Sequence, residues 1–142
     1  MPRPSDVAVG TAILILNQQN QILLGKRKSA HAAGCWSFPG GWMDRTDTSS
    51  EDTVIREAWE ETGILVASCC RLSWTTEDHE DLACRTVTLY HLARSYQWQG
   101  TPVVMEPNKC EEWRWFDMDK LPSPLFPRLA AVVADLRNAD NG

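Results

Sequence analysis

The segment Arg56-Glu-Ala-Trp-Glu-Glu-Thr-Gly-Ile64 gathers three carboxylates, Glu57, Glu60 and Glu61, beside one guanidinium. On a helix, a step of about 100° per residue places all three within roughly a third of the circumference. Like charges at i,i+3 and i,i+4 cost about 0.2–0.5 kcal/mol per pair, and neighbouring carboxylates raise one another's pKa unless a cation sits among them. Two readings follow. One is a solvated acidic face steadied by Arg56. The other is a site for a hard divalent cation, because Mg²⁺ takes oxygen ligands and is commonly held by one or two carboxylates together with substrate phosphates and water. Such an ion would also shield an incoming polyphosphate from the acids.

Upstream, Cys35-Trp-Ser-Phe-Pro-Gly-Gly-Trp42 carries aromatics into a Pro-Gly-Gly break, where two successive glycines permit close approaches that side chains forbid. Pro39-Gly-Gly41, a loop, and Arg56 to Ile64 together closely resemble the Nudix box, G-x5-E-x7-R-E-U-x-E-E-x-G-U with U apolar. With Gly41 as the first glycine, the second half matches position for position, Ala58 being a small residue at the apolar site. The first half departs: Asp47 stands where Glu is expected, and eight residues rather than seven separate it from Arg56. In the family that acid mainly organises the loop. A late segment, Glu106-Pro-Asn-Lys-Cys-Glu-Glu-Trp-Arg-Trp-Phe116, is similar to one in MutT-like nucleoside triphosphate diphosphatases.

The resemblance implies a Nudix-type α/β/α sandwich with a mixed β-sheet and an enzyme that cleaves a diphosphate linkage in a nucleotide-like substrate with Mg²⁺, or Mn²⁺ in its place. Glu57 and Glu61 become the principal metal ligands, Glu60 a further or water-mediated one, and the backbone carbonyl of Gly40 an additional one. Arg56 pairs with a box carboxylate and holds its rotamer. Family members draw the base that activates water from a box glutamate or from a downstream acid, which makes Glu57, Glu106, Glu111 and Glu112 the candidates here. Arg56, Glu57, Glu60 and Glu111 are accordingly taken as the catalytic set. Gly41, Trp42 and Arg27 are the expected substrate contacts, Arg27 as part of Lys26-Arg27-Lys28, which a solvated strand end explains equally well. Nucleoside triphosphate to monophosphate plus pyrophosphate is the leading reaction. Hydrolysis of ADP-ribose or another nucleoside-diphosphate sugar comes second, and a non-catalytic nucleotide sensor third. ADP-ribose hydrolases often carry a proline about fifteen residues beyond the box, whereas this chain has Glu77-Asp-His-Glu-Asp-Leu82 there.

The elements that must hold these residues are marked by local chemistry. Ser50 to Thr62 reads as a helix: Thr48 and Ser49 precede it with acids three residues after each, and Gly63 follows as a C′ residue. Val54, Ile55, Ala58, Trp59 and Thr62 form its expected core face. Val7 to Leu16 and Ile22 to Arg27 read as two strands joined by a hairpin, and Ile64 to Trp74, Cys84 to Arg94 and Glu112 to Phe116 as further strands. Leu125 to Asn138 reads as an amphipathic terminal helix introduced by prolines. Trp113 and Trp115 alternate along their strand, so core packing is expected of both. His31, His79 and His91 are too scattered to make a metal site or a triad.

The chain of 142 residues is the size of one ordinary domain, and 43% hydrophobic with 23% charged residues is the balance of a globular protein. A formal charge of −5 lacks the basic footprint of a nucleic-acid polymer binder. It leaves room for a small nucleotide where metal ions reverse the local field. Five cysteines without a C-x-x-C pair suit reduced thiols in a cytoplasmic protein. No signal-like start or membrane-length apolar run is present. The expected partner is a small nucleotide, with no membrane; a homodimer is left open.

Overall fold

The computed structural model describes residues 7–79 and 84–141. A four-stranded mixed sheet has the order β4-β1-β7-β6, built from β1 (Val7–Ile15), β4 (Gly40–Trp42), β6 (Cys70–His79) and β7 (Cys84–Ala93). β1 runs parallel to β7 and antiparallel to β4, and β6 is antiparallel to β7. β3 (Trp36–Ser37), β2 (Ile22–Arg27) and β9 (Cys110–Phe116) form an antiparallel three-stranded sheet. β5 (Leu65–Val66) pairs with β8 (Trp98–Gln99). The helices are α1 (Ser50–Thr62) and α2 (Leu129–Asn141).

β1 explains the layering. Ala12, Leu14 and Leu16 enter one cluster with Tyr90, Leu92 and the α2 residues Leu129, Val132, Val133 and Leu136. Ile13 and Ile15 enter a second with Val54 and Ala58 of α1, Ile64 and Ala93. Successive residues of a strand point to opposite faces, so an uninterrupted apolar run belongs to a strand covered on both sides. Each fully buried Leu or Ile contributes roughly 1.5–3 kcal/mol, and Ile13, Leu14 and Ile15 are all 0% exposed. This is the expected α/β sandwich over a mixed sheet.

The α1 boundaries fall where the caps place them. Ser49 is the N-cap, its hydroxyl accepting from the Asp52 N–H at 3.1 Å, and Gly63 ends the helix at φ 75°. Several expectations are corrected. β1 and β2 share only a Leu16–Ile22 bridge at their turn, then diverge into different sheets instead of forming a hairpin ladder. Ile64 to Trp74 is two strands: Leu65–Val66 pairs with β8 and Cys70–His79 with β7, because no single straight strand can serve both sheets. The terminal helix begins at Leu129, not Leu125. Phe126 precedes Pro127, which disfavours helical backbone, and its N–H instead donates to the Trp36 carbonyl at 2.9 Å. Trp59 is 48% exposed, so it lies off the core face. Trp113 and Trp115 do pack against the α1-side cluster. Of the Glu77 to Leu82 segment, Glu80 to Leu82 lie outside the described residues. Among the described residues, no helix is long and apolar enough to cross a membrane.

Candidate active site

The Trp36-to-Trp42 approach is a pair of very short strands that changes sheets. Trp36–Ser37 pairs with β2, the chain passes Pro39, and Gly40–Trp42 pairs with β1. A Cβ at Gly40 would lie 2.1 Å from the Thr11 carbonyl oxygen, so only glycine lets the two backbones meet. At Gly41 a Cβ would lie 2.7 Å from the carboxyl carbon of Glu57. Here the missing side chain makes room for a carboxylate. Thr11, 5% exposed, donates its hydroxyl to the Gly41 carbonyl at 2.9 Å and fixes that peptide.

On α1 the buried residues are Ser50, Thr53, Val54, Ala58 and Thr62. The helical step sets Glu57 and Glu61 between Thr53 and Val54, on the edge of the packed arc that meets β4, and leaves Glu60 beyond it. The acids therefore divide. The Glu57 side chain is 16% exposed and the Glu60 side chain 44%. Glu61 accepts from the Gly40 N–H at 3.4 Å. Burial raises the pKa of Glu57, and burial, together with its hydrogen bond and like charge from Glu57, raises that of Glu61 further. Without a cation, the pair holds a proton well above the usual carboxylate range.

Arg56 gathers the remaining charges. It reaches Glu57 at 3.1 Å, Glu60 at 3.3 Å and Asp47 at 3.2 Å. Asp47 also accepts from the Asp44 N–H at 2.7 Å, and that bond, ahead of Arg56, lowers its pKa. The shorter acid and the longer loop thus still bring a carboxylate to Arg56.

Beside the pair lies a cavity of about 320 Å³ whose lining includes Glu57, Glu61, Glu106, Lys109, Lys26, Arg27 and Trp113. A second cavity, of about 170 Å³, lies across Gly40, Gly41 and Trp42, with Phe38, Thr88, Tyr90, His31 and Phe126 in its wall. Trp42, 52% exposed, and Arg27 border both. Arg27 donates to the His31 carbonyl at 3.1 Å and lies 5.0 Å over the Phe126 ring.

Gly40, Gly41, Trp42, Arg27, Glu57 and Glu61 are therefore brought together, with Arg56 behind Glu57. Glu60 stays on Arg56. Glu111 is not brought to the carboxylate pair: it is exposed and paired with Lys26 at 3.5 Å, while Glu112 pairs with Arg114 at 3.0 Å. Glu106 is the late acid that lines the cavity, 3.6 Å from Lys109. Sequence reasoning missed Phe126, whose one signal is an aromatic between prolines at Pro124-Leu-Phe-Pro127, and gave His31, which stands in the same wall, no part in the site. Among the described residues, no three His, Cys, Asp or Glu side chains converge as a complete metal cage. Two half-buried carboxylates open to a cavity suit Mg²⁺, which completes its shell with water and phosphate.

A NUDIX domain model matches residues 6–136. An ADP-ribose pyrophosphatase of Methanocaldococcus jannaschii is 43% identical over 128 residues, 90% of this chain and 72% of that protein. An oxidized purine nucleoside triphosphate hydrolase of Danio rerio is 30% identical over 114 residues, 79% of this chain and 67% of that protein. The crystal structure of a MutT NUDIX hydrolase from Burkholderia pseudomallei superposes with a TM-score of 0.85 at 32% identity, covering 93% of this chain and 99% of that one. With the box carboxylates set against the Pro-Gly-Gly turn and the family model spanning nearly the whole chain, the protein belongs to the Nudix family and is a MutT-like pyrophosphohydrolase.

Proposed function

We propose that the chain, as a single Nudix domain, hydrolyses a nucleoside triphosphate to monophosphate and pyrophosphate, with Glu57 and Glu61 holding a divalent cation. The observation that carries the reading is the junction at Gly40-Gly41-Trp42, where a cavity lined by carboxylates on one side and by Lys26, Arg27 and Lys109 on the other, suited to a metal-bound diphosphate, meets an aromatic one suited to a nucleoside. Glu57 and Glu61 are ligands, joined by the Gly40 carbonyl. Bound Mg²⁺ supplies neutralisation of phosphate charge and acidification of water. Arg56 fixes the Glu57 rotamer from behind and withholds Glu60 from the cation. Lys109 and Arg27 offer positive charge to the phosphates from the cavity wall, and Trp42 offers a ring face to the base. Glu106 accepts the proton of the attacking water, in place of Glu111. Five free cysteines support a reduced, cytoplasmic setting.

The triphosphate reading is supported by the late Glu106 to Phe116 segment and the purine triphosphate hydrolase relative. ADP-ribose is the second reading, favoured by the 43% identity to the archaeal pyrophosphatase. Chromatography of products from nucleoside triphosphates and ADP-ribose, each with Mg²⁺, separates the two. Monophosphate plus pyrophosphate is the expected outcome. AMP plus ribose 5-phosphate from ADP-ribose, with triphosphates inert, would establish the second reading, and nucleoside diphosphate plus orthophosphate would defeat both.

A further inference from the structure

The last turn of α1 carries Glu61, and the last carbonyls of a helix have no partner within it. Here they are taken up from outside. The Trp113 indole N–H donates to the Glu61 carbonyl at 3.1 Å, and the Met105 N–H to the same oxygen at 3.3 Å. The Val103 N–H donates to the Thr62 carbonyl at 2.9 Å. Trp113 comes from β9, in the other sheet, and reaches the helix because Gly25, its partner in the β2–β9 register, has no side chain. A Cβ at Gly25 would lie 2.5–2.8 Å from three atoms of the Trp113 six-membered ring. Real Cβ atoms essentially never come so close, so an alanine there must push the ring off the strand. Gly25 and Trp113 both line the cavity that Glu57 and Glu61 face.

We infer that Trp113, seated on Gly25, is a positioning residue for catalysis: its indole N–H fixes the main chain of Glu61 and so aims that carboxylate at the metal. The inference rests on Glu61 being a ligand, as proposed above. A tryptophan that served only as core would be replaceable by any ring of similar bulk, because burial is non-directional. A positioning tryptophan is not replaceable in that way, because its N–H has one acceptor and its plane one seat.

The test is a Mg²⁺ titration of thermal stability, with kcat and KM measured on the best substrate, for the parent and four variants. Trp113→Phe keeps a ring but loses the N–H. Gly25→Ala keeps the indole but displaces it. Both are expected to raise the half-effect Mg²⁺ concentration by roughly threefold to tenfold, the range of one net hydrogen bond, and to lower kcat more than they raise KM. Trp115→Phe is the packing control. Trp115 lies two residues along the same strand, stacks on Trp98 at 5.6 Å and packs into the same cluster. It should lower the melting temperature while leaving the Mg²⁺ midpoint where it was. Glu61→Gln reports on the underlying reading by abolishing most of the Mg²⁺ response. If Glu61→Gln does so while Trp113→Phe and Gly25→Ala, melting lower than the parent, keep its Mg²⁺ midpoint and kcat, Trp113 is core and the inference fails alone. If Glu61→Gln responds to Mg²⁺ like the parent, the ligand reading falls and takes the inference with it.

Discussion

Glu57 and Glu61 lie one helical turn apart against β4, and burial makes each costly to ionise there, Glu57 even with Arg56 beside it. Glutamine at either position keeps size and helix propensity but removes the charge that a hard cation requires. Activity of Glu57→Gln and Glu61→Gln should fall about a hundredfold or more, since each 1.36 kcal/mol of lost transition-state stabilisation is tenfold in rate. In EDTA both variants should melt no lower than the parent, and Mg²⁺ should stabilise them less. Near-parental turnover in both would return this face to a solvated acidic surface. The pH dependence has a defined sign. The unfolded chain titrates glutamate near 4.3, and the folded, metal-free pair titrates higher, so the native state binds more protons between those values and loses stability as pH rises. From pH 7 to 8, above the range in which burial-depressed His91 titrates, the parent in EDTA should lose melting temperature. Mg²⁺ and the two glutamine variants should flatten the slope. A flat or rising profile for the EDTA parent would contradict the shared proton.

Two elements, α1 and β4, position the site, and they differ in how much of themselves the sequence disclosed. The limits of α1 are local chemistry: a hydroxyl that caps Asp52 and a glycine that tolerates positive φ are readable from a few residues. Which arc of α1 packs is not local. An amphipathic reading groups Glu60 with Glu57 and Glu61 and puts Trp59 in the core, whereas the surface offered by β4 turns the helix so that Glu57 and Glu61 face inward and Trp59 and Glu60 outward. Pro39-Gly-Gly41 was legible as a place of close approach, but not that its glycines are required for different reasons. Gly40→Ala drives a methyl into Thr11 backbone and should cost several kcal/mol of stability, read in denaturant melts. Gly41→Ala meets only the movable end of Glu57, so it should fold and lose Mg²⁺ response instead. Equal losses of stability in both would remove that distinction.

At the level of the whole molecule, the sandwich and its mixed sheet were readable because strand patterns stand on both sides of one marked helix and a second helix closes the chain, and the Ala12-to-Leu16 stretch, apolar at every position, is what a strand covered on both faces needs. The aromatic cavity was not, because Phe38, Tyr90, His31 and Phe126 come from separate segments that meet only after β1 and β2 part into different sheets. The same parting leaves the two hydrophobic clusters back to back with β1 as their common wall. Either flank can then open without the other: lifting α2 exposes Leu14 but leaves Ile13 and Ile15 covered, and lifting α1 does the reverse. Amide exchange should therefore be slowest along the parallel β1–β7 ladder between Ile13 and Ile15, released only by global unfolding, with α1 and α2 amides exchanging through separate, cheaper openings. Added Mg²⁺ should slow the α1 amides and leave those of α2 at their own rate, so that a cofactor which tightens one side of the protein passes unnoticed on the other.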